Sequence, residues 1–321
     1  MKKILDIRHL KTYLHTPAGE VKAVDGINCD ILSEETMGLV GESGCGKTMT
    51  ALSILKLYPK PQGRIVDGQV IFLGEDLVPK TEEEMYAIRG KKISMIFQEP
   101  MTSLDPVFPV GKEIMEVLTI HQNMTEKEAM NQTIELLRQV RIPEPERRMK
   151  EYPHQMSGGM RQRIMIAMAL ACRPQLLIAD EPTTALDVTI QAQIIELIKE
   201  LKREFHTAVL LITHDLGVVA ETCQRVSVMY AGKIIERAPV TELFTHPSHP
   251  YTQALLNAIP QLTNHHSHRL ESIPGQVPNL IHPPSGCRFH PRCPFKMPLC
   301  EENEPSLNAR EGEHTIACHL Y

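Results

Sequence analysis

The feature that most constrains this chain is one glycine-rich segment, Gly41-Glu42-Ser43-Gly44-Cys45-Gly46-Lys47-Thr48. A glycine, four residues, a second glycine, a lysine and a threonine form the pattern of a loop that cradles phosphate groups. Glycines let successive backbone N–H groups approach phosphate oxygens. Lys47 can place a cation on the β- and γ-phosphates, and Thr48 can offer its hydroxyl to Mg²⁺. The segment therefore predicts a nucleoside triphosphate site.

The sequence on either side of this loop fits the same interpretation. Residues 36–40 are a short apolar run that suits a buried strand, and residues 49–55 have helix-forming side chains with apolar spacing. A strand, a glycine loop and a helix in this order are the setting that a phosphate loop requires. The alternative, a chance glycine turn, would leave the lysine, the threonine and both flanks unexplained. The fold is therefore expected to be α/β.

Length, composition and charge narrow the class of protein. With 321 residues, 42% hydrophobic and 23% charged, the chain can bury one large core and a smaller satellite domain. A net charge of −5 gives no global footprint for nucleic acid. No apolar run approaches the roughly 18 residues of a membrane span, and the N-terminus becomes charged too early for a secretory signal. Four of the eight cysteines are scattered, so a reducing cytosol is expected.

Two further apolar runs end in side chains that suit phosphate chemistry. Residues 176–179 are apolar and lead into Asp180 and Glu181, while the run 208–213 leads into His214. Ligands of open α/β sheets bind at the carboxyl ends of strands. Asp180 is thus expected beside Mg²⁺, and Glu181 is expected to polarise an attacking water. An acidic turn without function is the alternative, and the phosphate loop upstream argues against it.

A helical insertion is predicted between these strands. Prolines interrupt the chain after Gln98, and helical patterns then cover 110–121 and 125–140, the second beginning with a Thr-x-x-Glu capping box. Ser157 can cap a buried helix that includes 164–170, and the glycines after it allow close approach to an anion. Alone this is a modest signal, because Ser-Gly-Gly is also a common linker sequence.

Taken together and in this order, these motifs resemble the ATP-binding subunits of ABC transporters. The longer strings at 94–106, 157–163, 179–189 and 249–256 resemble the branch that serves oligopeptide and dipeptide importers. With the last string included, the resemblance covers essentially the whole chain.

The resemblance implies a fold and a division of the chain. The fold would be an ABC-type P-loop NTPase with an N-terminal β subdomain, a helical subdomain and a small cysteine-containing C-terminal extension. The nucleotide-binding domain would occupy residues 1–245, with the helical subdomain at about 99–173. The extension would occupy residues 246–321.

The resemblance also assigns roles to individual residues. Glu181 would be the general base, His214 would contact the γ-phosphate, and Gln98 would sense the γ-phosphate and metal. The remaining ATP contacts would be Gly41, Glu42, Ser43, Gly44, Cys45, Gly46, Lys47, Thr48, Met49 and Tyr13. Contacts made across a dimer to the partner's ATP would come from Ser157, Gly158, Gly159 and Asp187. The Mg²⁺ ligands would be Thr48, Gln98 and Asp180.

Three positions depart from the family pattern. Met156 and Met160 stand where the family signature usually has leucine and glutamine. Leu14 falls where an adenine-stacking aromatic residue is expected, and Tyr13 lies beside it. The adenine contact is therefore open between an aromatic stack from Tyr13 and an ordinary strand-edge residue.

The C-terminal extension contains Cys287, Cys293, Cys300 and Cys318, separated by five, six and seventeen residues. Four thiolates suit a [4Fe–4S] cluster or a structural zinc. The spacing lacks the two Cys-x₂-Cys pairs of a zinc ribbon, and some members of the family carry a cluster in this region. A cluster is expected first; unliganded thiols and zinc are the alternatives.

The expected function is ATP hydrolysis that powers import of oligopeptides or dipeptides from the cytoplasmic face of the inner membrane. The implied partners are a second, homologous ATPase subunit, two transmembrane permease subunits and an extracytoplasmic peptide-binding protein, with no nucleic acid. One alternative is an importer of nickel or another small solute. Another is an ABC ATPase that acts on DNA or ribosomes, but a single cassette without heptads disfavours it.

Overall fold

A computed structural model defines the fold. It describes residues 2–98, 103–184, 186–258 and 273–321. The chain divides into two compact units. The first consists mainly of Pro79–Leu211, and the second consists of Leu5–Ile31, Thr36–Val78 and Ile212–Tyr321.

Strands occur along the whole chain. They are β1 (Lys3–Thr16), β2 (Gly19–Leu32), β3 (Thr36–Val40), β4 (Gly63–Phe72), β5 (Glu75–Asp76), β6 (Ile93–Ile96), β7 (Leu176–Asp180), β8 (Ala208–Ile212), β9 (Arg225–Tyr230), β10 (Lys233–Pro239), β11 (Asn308–Glu311) and β12 (His314–Ile316).

Helices separate many of these strands. In the described residues they are α1 (Lys47–Ile54), α2 (Glu82–Tyr86), α3 (Val110–Gln122), α4 (Glu126–Gln139), α5 (Pro145–Arg148), α6 (Gly158–Leu170), α7 (Val188–Phe205), α8 (Leu216–Thr222), α9 (Val240–Thr245), α10 (Pro250–Asn257) and α11 (Pro298–Glu302). None of the helices in the described segments is long and apolar enough to cross a membrane.

The second unit carries strands from both ends of the chain. One sheet has the strand order β2-β1-β4-β5, and β1 and β4 are antiparallel. The other run has the order β11-β12-β10-β9-β3, in which β3 is parallel to β9 and the remaining pairs are antiparallel. All five residues of β3 are buried, as the apolar run 36–40 predicted. The phosphate loop follows this strand directly, so it starts from a fixed point in the core.

The first unit carries the predicted helical insertion. Its strands are ordered β8-β7-β6, with β6 and β7 parallel, and all five residues of β7 are buried. Both Thr125 and Glu128 make their capping-box hydrogen bonds at the start of α4, so that prediction is confirmed. The apolar spacing of residues 188–205 predicts one long amphipathic helix, and α7 confirms it with the same bounds.

His249 lies at a junction inside the second unit. Its backbone N–H donates to Glu236 Oε2 at 2.9 Å, and its Nδ1 accepts from the Tyr251 N–H at 3.0 Å, which caps α10. The side chain is buried, and burial lowers the pKa of His249 to about 3, because the charged ring would lose its hydration. The junction is therefore built around a neutral imidazole.

We expect the free energy of unfolding to fall as the pH is lowered from about 6.5 toward 3, because His249 then gains a proton in the unfolded chain but not in the folded one. Between about pH 6.5 and pH 3 the unfolded state binds one more proton there than the folded state, so stability rises with pH. The His249→Asn variant keeps a capping oxygen but does not titrate. Urea unfolding of the purified chain at pH 4.5 to 6.5 should give the wild type a steeper slope by about 1.4 kcal/mol per pH unit. Parallel curves would contradict the assignment.

Candidate nucleotide site

The phosphate loop spans the six residues between the end of β3 and the start of α1. Its backbone is left-handed at Gly44 and Gly46, with φ of 77° and 111°. A Cβ atom at Gly46 would lie 2.2 Å from the carbonyl oxygen of Ala23, which is far inside van der Waals contact. Gly46 is therefore required both by its conformation and by the close approach of β2.

Lys47 is held inside this loop. The residue is 5% exposed, and its Nζ donates to the carbonyl oxygens of Gly41 at 2.8 Å and Glu42 at 3.1 Å. A buried ammonium group needs such partners, because an unpaired charge in the interior is strongly unfavourable. Cys45 is buried next to it, and burial raises the pKa of this thiol. The loop thus presents a fixed cation at a site where anions would bind.

The start of α1 is open to a ligand. The capping residue Gly46 makes no side-chain hydrogen bond to the helix, and Ser43, Gly44 and Thr48 are exposed, while Met49 is half-buried. The first N–H groups of a helix have no partner within the helix, and the helix dipole favours an anion there. A phosphate fits this end of α1, and the Thr48 hydroxyl can serve as a metal ligand.

The predicted carboxylates lie at the end of β7 in the first unit. Asp180 is the last residue of β7 and is 1% exposed. Glu181 follows with a left-handed φ of 46°, a conformation that is uncommon for a residue other than glycine. The turn directs the chain out of the sheet immediately after the buried aspartate. Such backbone outliers occur at functional sites, so the turn supports a chemical role for Glu181.

Gln98 and Glu181 are brought together by the parallel pairing of β6 and β7. Gln98 follows β6, and its Nε2 donates to Glu181 Oε2 at 2.9 Å. Thr184 Oγ1 donates to the same oxygen at 3.0 Å. Two donors on one carboxylate oxygen fix the orientation of the group. Thr184 was not singled out from the sequence, although it lies in a string that carried the family resemblance.

The Ser-Gly-Gly turn lies against the start of α7. Ser157 caps α6, as predicted, by accepting the Met160 N–H at 3.3 Å. A Cβ at Gly159 would lie 3.1 Å from the Ile190 side chain, and Asp187 caps α7 by accepting the Ile190 N–H at 2.9 Å. Ser157, Gly158 and Asp187 are exposed. A Cβ atom at Gly158 would lie 3.6 Å from the Leu186 side chain, which is an ordinary van der Waals distance. The four predicted trans contacts therefore lie on one surface of the first unit.

Met156 shows why its departure from the family signature is tolerated. Its side chain is buried, and its carbonyl oxygen accepts two hydrogen bonds from Arg161, at 3.0 Å from Nε and 2.9 Å from Nη2. An apolar side chain of similar volume can replace leucine in such a position at small cost. Met160 is half-buried one turn further on.

His214 is exposed in the second unit, in the turn that precedes α8. The N–H of Thr213 donates to the carbonyl oxygen of Leu39 at 3.4 Å, so this turn begins beside β3. Asp215 then caps α8 by accepting the N–H groups of Gly217 and Val218. His214 therefore follows a residue that contacts the carboxyl end of β3, the end from which the phosphate loop leaves.

Tyr13 is tied down by its hydroxyl group. The hydroxyl donates to Asp25 Oδ1 at 2.6 Å. Burial is the largest cause that raises the pKa of Tyr13, and Asp25 acts in the same direction. Both Tyr13 and Leu14 are half-buried. The hydrogen bond fixes the orientation of the Tyr13 ring but does not decide between the two residues as the adenine contact.

The four C-terminal cysteines do not form the expected metal site. All eight cysteines are free thiols, and no group of three or more His, Cys, Asp or Glu side chains in the described segments is placed to hold a metal ion. The pKa of Cys287 is raised to about 11, mainly by burial, with the other three thiols acting in the same direction. Metals bind the thiolate, and burial disfavours this form of Cys287. The expected [4Fe–4S] cluster is not supported, because sequence spacing alone does not fix the arrangement of the thiols.

The fold and this site together define a P-loop nucleotide-binding protein. The family model for the ABC transporter matches residues 24–184, and the model for the oligopeptide/dipeptide transporter C-terminal region matches residues 235–300. A dimeric post-hydrolysis structure of the ATP-binding cassette MJ0796 bound to ADP and Pi superimposes with a TM-score of 0.66 at 26% identity. That match covers 74% of this chain and 98% of the cassette.

Curated relatives match over nearly the full length. The probable peptide ABC transporter ATP-binding protein y4tR of Sinorhizobium fredii is 55% identical over 98% of this chain and 94% of the relative. The oligopeptide transport ATP-binding protein AppD of Bacillus subtilis is 51% identical over 100% and 98%. OppD of Salmonella typhimurium is 50% identical over 98% and 93%. The chain therefore belongs to the ABC transporter family, among the ATP-binding proteins of its peptide transporters, and is an ABC-type ATPase that uses ATP and Mg²⁺.

Substitution in the phosphate loop should show which glycine the fold itself requires. Gly46→Ala should lower the free energy of unfolding by roughly 3 kcal/mol or more, because strain and a backbone clash add together. Gly44→Ala should cost about 1 kcal/mol, since its Cβ would meet no heavy atom within 4 Å and only the left-handed conformation is unfavourable. Urea unfolding without nucleotide compares the two variants. Equal losses would contradict the close approach of Ala23.

Proposed function

We propose that this chain is the ATP-hydrolysing subunit of an importer of oligopeptides or dipeptides. One observation supports this most directly: residues 235–300 match the model for the oligopeptide/dipeptide transporter C-terminal region, and residues 24–184 match the ABC transporter model. The relatives named as peptide or oligopeptide transport proteins support the same cargo.

The proposed domain division follows from the same resemblance. Residues 1–245 form the nucleotide-binding domain, with the helical subdomain at about 99–173 facing the permeases, and residues 246–321 form the extension. Two permease subunits, a second ATPase subunit and an extracytoplasmic peptide-binding protein complete the transporter. The chain then works peripherally at the cytoplasmic face of the inner membrane.

In the proposed mechanism the phosphate loop binds the triphosphate. The backbone of residues 41–48 and Lys47 receive the β- and γ-phosphates, and Thr48, Gln98 and Asp180 hold Mg²⁺. The metal supplies charge neutralisation on the phosphate oxygens. The exposed Thr48 hydroxyl and the buried Asp180 carboxylate at a strand end have the donor chemistry that Mg²⁺ prefers. His214 contacts the γ-phosphate.

Glu181 is the proposed general base for hydrolysis. Its Oε2 is oriented by hydrogen bonds from Gln98 Nε2 at 2.9 Å and Thr184 Oγ1 at 3.0 Å, and these hold the carboxylate at the end of β7. A carboxylate held in a fixed orientation can take a proton from a water molecule placed beside it. Gln98 thereby links the base to the helical subdomain that follows it.

The Glu181→Gln variant should bind ATP but hydrolyse it poorly. Assembled with the permeases and peptide-binding protein, the wild type should drive ATP-dependent uptake of radiolabelled peptides. The variant should lose hydrolysis by a factor of about 100 or more, because the amide cannot take a proton from water. Glu196→Gln is the matched control, since Glu196 lies exposed on α7 with Lys199. Wild-type turnover in Glu181→Gln would remove it as the base, and uptake of nickel in place of peptides would refute the cargo.

A second subunit is proposed to complete each ATP site. Ser157, Gly158, Gly159 and Asp187 share an exposed surface, and Ser157 stands at the N-terminus of α6, an anion-favouring position. The cassette MJ0796 is a dimer in its ADP- and Pi-bound structure. In the proposal, ATP held by one subunit is contacted by Ser157 of the other. Closure on ATP and reopening after hydrolysis then shift the population between two dimer states.

Ser157→Ala should lower turnover more than the loss of a helix cap can explain. Each N-cap substitution costs about 1 kcal/mol of stability, so Thr81→Ala, which removes the capping box of α2, is the matched control. In the assembled transporter Ser157→Ala should reduce kcat by roughly tenfold or more, since a phosphate contact made at closure is lost. The control should keep wild-type kcat. Equal kcat in both variants, or an ATP-bound closed complex with Ser157 remote from every triphosphate, would contradict the shared site.

A further inference from the structure

Glu42 is the residue of the phosphate loop that is most completely fixed. Its N–H donates to the Tyr251 hydroxyl at 2.9 Å. Its carboxylate receives both ends of the Arg292 guanidinium, at 2.7 Å from Nη1 to Oε2 and 3.1 Å from Nη2 to Oε1. Its carbonyl oxygen accepts from Lys47 Nζ and from the Cys45 N–H. Both side chains that hold it come from residues 246–321 of the same unit, which are called the C-terminal segment below.

Arg292 is itself held in place. Its Nε donates to the carbonyl oxygen of Pro274 at 2.9 Å, and Nη2 also donates to that of Ile273 at 3.3 Å. The side chain is 4% exposed, and hydrogen bonding to Glu42 raises the pKa of Arg292. A bidentate guanidinium–carboxylate pair fixes orientation as well as distance. The guanidinium is buried and the carboxylate is 26% exposed, so salt screens this pair less than the exposed ion pairs of the surface.

Tyr251 is equally constrained, by packing. The residue is fully buried, and its ring packs against Tyr230 and Phe289 with centroid distances of 4.7 and 5.4 Å. The imidazole of His249 fixes its backbone at the start of α10. The hydroxyl group therefore has one position, and that position is at the phosphate loop.

A second arginine of the same segment reaches the neighbouring strand. Arg288 makes a salt bridge with Asp25 of β2 and donates to the carbonyl oxygen of Ala231. Asp25 is also the acceptor for the Tyr13 hydroxyl. Besides its contact with the phosphate loop, the C-terminal segment therefore contacts the carboxylate that fixes the Tyr13 hydroxyl.

We propose that Arg292 and Tyr251 are positioning residues for ATP binding, through which the C-terminal segment sets the geometry of the phosphate loop. The path is short: the two side chains hold Glu42, and the Glu42 carbonyl oxygen holds Lys47. A displaced Glu42 moves a partner of the cation that binds the phosphates. The inference rests on the proposed function only in that this loop binds ATP. It gives the C-terminal region, which the peptide transporter model matches, a direct role in nucleotide affinity.

The test is steady-state ATP hydrolysis by the assembled transporter with Arg292→Met and Tyr251→Phe. Arg292→Met should raise KM for ATP by about tenfold, and Tyr251→Phe should raise it by roughly threefold, the range for one hydrogen bond. The effect on kcat should be smaller in both. Lys296→Met is the control, because Lys296 lies in the same segment but pairs with the exposed Glu301. Its KM should equal that of the wild type.

A double-mutant cycle separates positioning from general destabilisation. Glu42→Gln with Arg292→Met should raise KM no more than Arg292→Met alone, because both remove the same interaction. If Arg292→Met does not fold, KM for ATP is measured on two other variants. Arg292→Lys keeps the charge but not the bidentate pair, and Tyr251→Phe removes the hydroxyl contact with Glu42. A lower melting temperature with unchanged KM would overturn the inference while leaving the ATPase intact. Failure of the wild type itself to hydrolyse ATP would overturn the proposed function instead.

Discussion

A buried cation is the constraint on which the nucleotide site depends. Lys47 is almost completely enclosed by the phosphate loop, and an unpaired ammonium group there would be strongly unfavourable. Two carbonyl oxygens of the loop satisfy it, which is possible only because the chain folds back tightly over the lysine. That path needs the left-handed glycines, and it needs β3 and α1 as fixed ends. Phosphate oxygens can replace carbonyl oxygens as partners, so the requirements of the fold coincide with those of the ligand.

The side chains proposed to be catalytic depend on a simpler feature, the parallel pairing of β6 and β7. Parallel neighbours end at the same edge, so Gln98 and Glu181 meet although 83 residues separate them. The left-handed turn at Glu181 then exposes the carboxylate beside a strand that is otherwise buried. The end of β7 fixes the position of Glu181, and the left-handed backbone of Glu181 fixes the direction in which the chain leaves the strand. This arrangement lets a buried, apolar strand end in a carboxylate that can take part in the proposed hydrolysis.

The sequence predicts local features well and long-range ones poorly. The loop, the helix 188–205 and the capping box at Thr125 follow from spacing and short-range hydrogen bonding, and the structure confirms them. The Glu42–Arg292 pair spans 250 residues and has no local pattern, so the sequence could not indicate it. For the four C-terminal cysteines, the sequence indicated a metal site that the structure does not support. Their number suggested a metal, but the geometry of thiols cannot be deduced from their spacing.

The separation between Glu42 and Arg292 has a consequence during synthesis of the chain. The loop is translated 250 residues before the arginine that clamps it. Closing so long a loop is entropically costly, and contacts of high sequence separation form late in folding. A nascent chain that lacks the C-terminal segment therefore carries a complete phosphate-binding motif without its fixed geometry. Full nucleotide affinity is gained only when translation has delivered the segment, and a truncated product would compete weakly for cellular ATP.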